Sequence, residues 1–338
     1  MMEQPRITVL MSVYNAERFI AEAVESVLKQ TFRDFELLIF EDTSTDSTLE
    51  ILRSFTDPRI RLIKNSENHG LTKNLTQGMD MTRGEFVARM DADDICMPHR
   101  LEMQVAYLDA HPEISALGSA VTFFDESGKE FVAHQPLEHE EIKCALFYGF
   151  TMLHPSVMMR KADFDNHGLN YDPAFRVSQD HDLWTRAIRK VRFANLYEPL
   201  LRMREHKGKI GNTRKPLQAE LSNRIRQRQL AELGVAFTAD ELKIFGEHEG
   251  QFEHWTRNEV ETFEELLIKV FDANAENSVF DQNMLVNMGV QRLRETCRQL
   301  LIAGNRTGRY YWQSKLRRLD TPTFKQILGL AFRSIAKR

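Results

Sequence analysis

Along the first two hundred positions, short β-branched and apolar runs alternate with segments of helical period, and this alternation predicts a layered α/β domain. Residues 6–13 read as a buried strand, after which Tyr14-Asn15 turns the chain into a helix. There Phe19, Ile20, Ala23, Val24, Val27 and Leu28 recur at steps of three and four, the stripe of a helix lying on a sheet. Residues 35–40 predict a second strand. Residues 41–47 then supply the short polar side chains of a turn and a helix N-cap, ahead of a second helix over 48–55. The series continues with a strand over 60–63, a loop over 65–70, a helix over 71–81 and a strand ending at Asp91. A helix over 100–110 and a strand over 114–124 follow, closed by the turn Asp125-Glu126-Ser127-Gly128. Repeated βα units imply a mainly parallel sheet with right-handed crossovers. After about residue 215 strands give way to helical stripes, first Val260, Phe263, Leu266, Leu267, Val270 and Phe271, then Leu285, Val286, Val290, Leu293, Cys297, Leu300 and Leu301. The expected organisation is an α/β domain over 1–214 and a helical region over 215–338.

Composition narrows the function classes. A net charge of −4 with 28% charged residues describes an ordinary soluble protein and gives no case for nucleic-acid binding. Cys96, Cys144 and Cys297 are scattered, which supports neither a disulfide framework nor a zinc knuckle and fits a reducing compartment. The first residues lack a basic region followed by an apolar core, and no apolar run approaches about 18 residues, so a cytoplasmic protein is expected.

The chemistry concentrates in Arg89-Met90-Asp91-Ala92-Asp93-Asp94, where three carboxylates follow directly on an apolar strand. Open α/β sheets bind ligands at the carboxyl ends of their strands, and Mg²⁺ and Mn²⁺ favour oxygen ligands supplied by one or two carboxylates plus substrate phosphates. A solvated acidic turn is the alternative reading. Asp42 also follows a predicted strand, so the fold would bring it to the same rim, either to accept a nucleobase N–H or to cap a helix.

Taken together, four segments carry a family resemblance: residues 7–15 (ITVLMSVYN), 26–32 (SVLKQTF), 41–46 (EDTSTD) and 90–94 (MDADD). In order and spacing they resemble the family 2 glycosyltransferases of GT-A fold, as does the helix-His-Pro-Glu-strand continuation over 104–118, and the likeness runs from about residue 5 to 210. One departure is visible: Glu41-Asp42-Thr43-Ser44 stands where the family pattern is Asp-Asp-Gly-Ser. The resemblance implies an inverting transferase that uses Mg²⁺ or Mn²⁺ and a nucleotide-sugar donor, expected to be UDP-linked. It implies a saccharide or lipid-linked acceptor and a setting in bacterial surface polysaccharide or glycolipid assembly.

By matching position, Asp42 resembles the carboxylate that reads the base, and Asp91 and Asp93 resemble the family's Asp-X-Asp. Asp93 would ligate the metal, while Asp91 would reach the ribose or a metal-bound water. Lys73 and Asn68, around the loop over 68–70, are candidates for the diphosphate, with plain surface roles as the alternative. Asp180, in Ser178-Gln179-Asp180-His181-Asp182-Leu183-Trp184, matches the catalytic base, and Asp182 is expected to cap the helix carrying Leu183 and Trp184. His154 of the His-Pro-Ser element is a candidate contact to diphosphate or acceptor. His206 resembles the late histidine that completes the metal or diphosphate site, although Met203 replaces the aromatic residue expected before it.

After Gly304 the chain holds Arg306, Arg309, Lys315, Arg317, Arg318, Lys325, Arg333, Lys337 and Arg338 against the single acid Asp320, with aromatic residues between them. Two readings stay open: peripheral contact with an anionic membrane surface, or a solvated face whose apolar side packs on the protein. Two rival functions also stand. A sugar-phosphate nucleotidyltransferase would carry a glycine-rich phosphate loop after the first strand, and Tyr14-Asn15-Ala16-Glu17-Arg18 has no glycine. A non-catalytic nucleotide-sugar-binding protein would have no need of Asp42, Asp91, Asp93 and Asp180 together.

Overall fold

Strand β1 (Ile7–Val13) is buried along almost its whole length because it pairs in parallel with β2 (Phe35–Glu41) on one side and β4 (Phe86–Asp91) on the other. Strands covered on both faces read as continuous apolar runs, and these three do. The computed structural model describes residues 4–149, 152–206, 215–246 and 254–320, together with 322 and 326. Helix α1 (Ile20–Leu28) connects β1 to β2, and α2 (Thr48–Ser54) connects β2 to the outer parallel strand β3 (Ile60–Lys64). Helix α3 (Leu71–Met81) then returns the chain to β4. The buried stripe of α1 is Ile20, Ala23, Val24 and Val27, the period read from sequence.

Beyond β4 the sheet stops being uniformly parallel. After β5 (Ile95–Cys96) and α4 (Arg100–Ala110) come β6 (Ile114–Asp125), β7 (Glu130–Ala133) and α5 (His139–Phe147). The chain continues through β8 (Met158–Arg160), α6 (Lys161–Asn166), α7 (Gln179–Ala187) and β9 (Arg192–Glu205). The sheet order is β3-β2-β1-β4-β8-β6-β9-β5, with β7 on β6. β6 and β9 are parallel, whereas β5, β7 and β8 run antiparallel to their neighbours, so the mainly parallel expectation is met with three short exceptions. Two polar side chains of α4 are fully buried and hold this part of the sheet. Arg100 donates to the Arg89 carbonyl at 2.8 Å, and Gln104 Nε2 donates to the Leu117 and Ser156 carbonyls.

The chain forms two compact units. One comprises Met1–Ile142 with Thr151–Leu221, the other Lys143–Phe150 with Ser222–Arg338. The division therefore falls inside α8 (Lys215–Glu232) rather than at its start, and the end of α5 belongs to the second unit because Cys144, Phe147 and Tyr148 lie in that unit's apolar core. That core also takes in α9 (Ala239–Gly246), α10 (Arg257–Asn277) and α11 (Gln282–Ile302), including both stripes read from the sequence. Thr256 and Glu259 cap α10 reciprocally, and Asp281 caps α11. Among the described residues no helix is long and apolar enough to cross a membrane.

Gly84, between α3 and β4, marks a close approach of backbone to backbone in the first unit. Its N–H donates to Thr8 Oγ1 at 2.9 Å, and a Cβ there would stand 2.4 Å from the Thr8 backbone nitrogen and 2.6 Å from the Ile7 carbonyl carbon. Backbone cannot yield as a side chain can. Gly84→Ala should lower stability by about 1–3 kcal/mol or more through displacement of β1 from β4. Urea denaturation checks this, and an unchanged midpoint would show that the strands are not held at this distance.

Candidate active site

The pairing of β1 fixes which strand ends meet. Val13 lies opposite Glu41, and Ser12 lies opposite Asp91, so the residues that leave β1, β2 and β4 share one rim. Asp42, one residue past β2, is only 2% exposed. Its Oδ1 accepts from Asn65 Nδ2 at 2.7 Å and from the His69 N–H at 2.8 Å, and Oδ2 accepts from the Gly70 N–H at 2.8 Å. Burial alone raises the pKa of this carboxyl, but the bonds from His69, Asn65 and Gly70 outweigh it and hold the group below the usual carboxylate range. Asn65 also donates to Asn74, and Asn74 donates to Ser12, so the network joins the ends of β1, β2 and β3 to the first turn of α3.

Asp91, Asp93 and Asp94 bring one carboxylate oxygen each within 4.8 Å of one another. Asp93 Oδ2 lies 2.8 Å from His206 Nε2, across more than a hundred residues of sequence. Asp94 is buried, with Oδ1 accepting the Arg204 N–H at 3.0 Å. Beneath them, Arg89 is 2% exposed and places Nη1 2.5 Å from Asp91 Oδ1, close enough for an ion pair although the N–H is not aligned on the oxygen. The cluster is thus three acids over one buried cation, edged by an imidazole.

α7 and the segment before it supply further groups near Arg89. Asp180 sits in the first turn of α7, with Oδ1 accepting the His181 N–H at 2.8 Å. Burial raises its pKa, the His181 N–H and Arg89 oppose that rise, and Asp91 adds to it. His154, in the turn His154–Ser156, is buried with Nε2 2.7 Å from the Tyr171 hydroxyl. Burial, then Arg89, holds the imidazole well below its ordinary pKa, so it is neutral at pH 7. Burial also keeps the Tyr171 hydroxyl protonated. Helix α3 anchors this segment: Thr72 Oγ1 donates to the Phe175 carbonyl at 2.8 Å and Thr76 Oγ1 to the Tyr171 carbonyl at 3.1 Å.

Residues 8–169 match the family model described as Glycosyl transferase family 2. The putative glycosyltransferase EpsE of Bacillus subtilis (strain 168) is 35% identical over 206 residues, covering 60% of this chain and 73% of EpsE. The chain is a family 2 glycosyltransferase. The amylovoran biosynthesis glycosyltransferase AmsE of Erwinia amylovora is 31% identical to it, over 58% of this chain and 75% of AmsE. Its fold is that of S. aureus TarS 1-349, solved in complex with UDP-GlcNAc, with a TM-score of 0.60 and 17% identity over 91% of this chain and 92% of TarS. The mannosyltransferase PcManGT from Pyrobaculum calidifontis, solved in complex with GDP-Man and Mn²⁺, has a TM-score of 0.52 at 17% identity over 100% of this chain and 89% of PcManGT. The fold is GT-A, with a helical C-terminal region.

Of the sequence-predicted residues, this glycosyltransferase brings Asp91, Asp93 and His206 into one cluster, with Asp180 and His154 around the same buried Arg89. Asp42 lies at the rim, but its carboxylate is turned towards the loop that starts α3. Asn68 donates to the Asp42 carbonyl at 3.1 Å, and Lys73 is exposed in the first turn of α3. Asp182 does not cap its helix. Ser178, at φ +58°, starts α7 earlier than expected, and Asp182 is buried inside it, paired with Arg186 at 2.7 Å.

Four contributors escaped the sequence reading. Asn74, Tyr171 and Arg204 act through contacts distant in sequence, and Arg89 was read only as part of a strand, although a charged residue inside an apolar run was its visible signal. In the C-terminal basic segment, Tyr310, Tyr311 and Trp312 pack on the second unit's core, and Glu264 accepts from Tyr310. Lys315, Arg317 and Arg318 face outward, whereas Lys325, Arg333, Lys337 and Arg338 lie outside the described residues.

The lowered pKa of Asp42 has a definite sign. A carboxyl whose folded pKa is depressed stabilises the fold above its unfolded pKa of about 3.9 and loses that contribution as pH falls through the folded value. Asp42→Asn should therefore be less stable than wild type by about 1–3 kcal/mol at neutral pH. That gap should narrow once pH drops below about 3.9. Urea midpoints across this range are the measurement, and a gap independent of pH would remove the ionised carboxylate from the network.

Proposed function

We propose that the chain is an inverting, metal-dependent transferase that moves a sugar from a nucleoside-diphosphate sugar to a saccharide or lipid-linked acceptor in bacterial surface polysaccharide assembly. The observation that carries this is the convergence of the Asp91, Asp93 and Asp94 oxygens and His206, with Asp180 near enough to Arg89 and Asp91 for their charges to act on it. The UDP-GlcNAc and GDP-Man bound by TarS and PcManGT support a nucleotide-sugar donor, and the name of AmsE supports the polysaccharide setting.

Hard carboxylate oxygens with a single imidazole fit Mn²⁺ or Mg²⁺ better than a softer ion. In this reading Asp93 and His206 hold the cation, and Asp91 meets the ribose or a cation-bound water. When bound, the cation supplies positive charge opposite the departing diphosphate. Asp42 orders the loop over 68–70 and offers its remaining lone-pair capacity to a base N–H. Asn68 and Lys73 flank the diphosphate, and neutral His154 faces diphosphate or acceptor.

The acceptor oxygen attacks the anomeric carbon as the bond from that carbon to the phosphate oxygen breaks, and Asp180 takes the hydroxyl proton. No covalent glycosyl-enzyme is formed. The outward side chains of Lys315, Arg317 and Arg318 add a reversible, salt-sensitive contact between a cytoplasmic enzyme and the inner membrane face, at about 1 kcal/mol each.

Two variants test separate halves of this reading. Asp93→Ala should fold normally yet lose Mn²⁺-dependent binding of a nucleoside diphosphate, measured by calorimetry. Retained metal-dependent binding would move the ligand role elsewhere. Asp180→Asn should keep donor binding but lower transfer by roughly 10²–10⁴-fold. Because burial raises the Asp180 pKa and the base must be ionised, wild-type transfer should fall off on the acid side at a pH above the ordinary carboxylate value of about 3.9. Near-normal transfer by Asp180→Asn would exclude it as the base.

A further inference from the structure

Arg204, near the end of β9, touches the acidic turn without being able to ligate a cation. Its backbone N–H donates to Asp94 Oδ1 at 3.0 Å, and its Nε donates to the Asp93 carbonyl at 3.1 Å. The guanidinium lies 4.8 Å from the Phe19 ring centroid and 4.6 Å from that of Phe124. Its outer nitrogen Nη2 reaches Glu22 Oε2 on α1 at 2.5 Å. One side chain thus joins α1, the acidic turn, β6 and β9. Two residues further on, His206 packs its ring 5.1 Å from that of Phe19 and meets Asp93.

We propose that Arg204 is a positioning residue for the Asp91–Asp94 turn, its guanidinium holding the Asp93 carbonyl from a grip between Phe19 and Phe124 while its backbone N–H takes the Asp94 carboxylate. The carboxylate of Asp93 must come from a turn whose backbone is fixed, and nothing in a run of short acidic residues fixes it by local propensity. A planar cation between two ring faces is restrained in the way an ammonium is not, because lysine lacks both the flat face for stacking and the forked N–H donors. The bond to Glu22 matters less. Glu22 is more than half exposed, and an ion pair so open to water contributes little. The working side-chain contacts are therefore the one to the Asp93 carbonyl and the two to the rings, made by a side chain that is 13% exposed. The functional consequence rests on the proposed cation role of Asp93, but the positioning itself does not.

The test uses the full chain and the variants Arg204→Lys, Phe124→Leu and Glu22→Gln. Phe124→Leu removes one face of the grip without changing any charge, so it reads the proposal even if Arg204→Lys fails to fold. Amide hydrogen exchange of the cation-free protein should be faster over residues 92–96 in Arg204→Lys and Phe124→Leu, and near wild type in Glu22→Gln. Titration of Mn²⁺ with UDP, and separately with GDP, should show the first two variants weakened about 10–100-fold, the range expected when support behind a metal ligand is lost, with Glu22→Gln close to wild type. Wild-type exchange over 92–96 in both Arg204→Lys and Phe124→Leu would overturn the proposal. So would a Glu22→Gln effect equal to theirs, since the exposed ion pair would then be the restraint. If the wild type binds neither nucleotide in a Mn²⁺-dependent way, the cation role of Asp93 fails, while faster exchange in the variants still upholds the grip.

Discussion

The parallel pairing of β1 with both β2 and β4 is the constraint on which the site depends. Parallel neighbours all point their carboxyl ends the same way, so a register that sets Val13 beside Glu41 and Ser12 beside Asp91 delivers two sequence-distant acidic turns to one edge. Gly84 permits the close approach of β4 to β1, and these strands have little freedom to slip, since a one-residue shift would exchange the side chains packed on one covered face for those packed on the other. The positions of the acids follow from the burial of the strand residues that precede them.

Gathering carboxylates in a sheltered rim has an electrostatic cost, and each is met differently. Asp42 is surrounded by N–H donors, Asp91 has Arg89 beside it, Asp93 has His206, and Asp94 takes a backbone N–H from Arg204. For Asp180 the compensation falls short: the His181 N–H and Arg89 favour its charge, yet burial and Asp91 leave the carboxyl above its ordinary pKa. A carboxylate left basic in this way is the one best suited to take up a proton. The same environment keeps Tyr171 and His154 uncharged, so they add no charge beside Asp180 at neutral pH.

How much of this was readable in the sequence depends on the range of the interactions. Helices α3 and α4 were legible to the residue because each has its own apolar stripe, and Asp42, Asp91 and Asp93 were legible because a strand end is a local feature. β5, β7 and β8 were not, since strands of two to four residues carry no period and exist only through their partners. Arg204, Asn74 and Tyr171 were hidden for the same reason: their roles are contacts made after the chain has closed on itself. Asp182 misled because an acid ahead of Leu-Trp reads as a cap, while the left-handed Ser178 had already begun the helix. Thr43 shows the opposite case. The glycine expected by the family pattern is missing, yet Thr43 takes up the left-handed conformation at φ +59°, a strain of about 1–3 kcal/mol that the surrounding turn sustains.

The path of the backbone between the two compact units has a consequence for how this gene could be cut or recombined. The chain enters the second unit at Lys143, leaves it after Phe150, and enters it again at Ser222. Tyr148 gives its hydroxyl to the Leu285 carbonyl at 2.8 Å, and Phe147 packs on Phe245 and Phe280. A fragment stopped after Leu221 would present Cys144, Phe147 and Tyr148 to water with no core to receive them, a sticky segment in the middle of an otherwise intact transferase. A hybrid made by exchanging everything after that point would succeed only if residues 143–150 travelled with the incoming half. Modularity in this chain therefore requires three crossovers, and libraries built on one would select for insolubility before they ever sampled specificity.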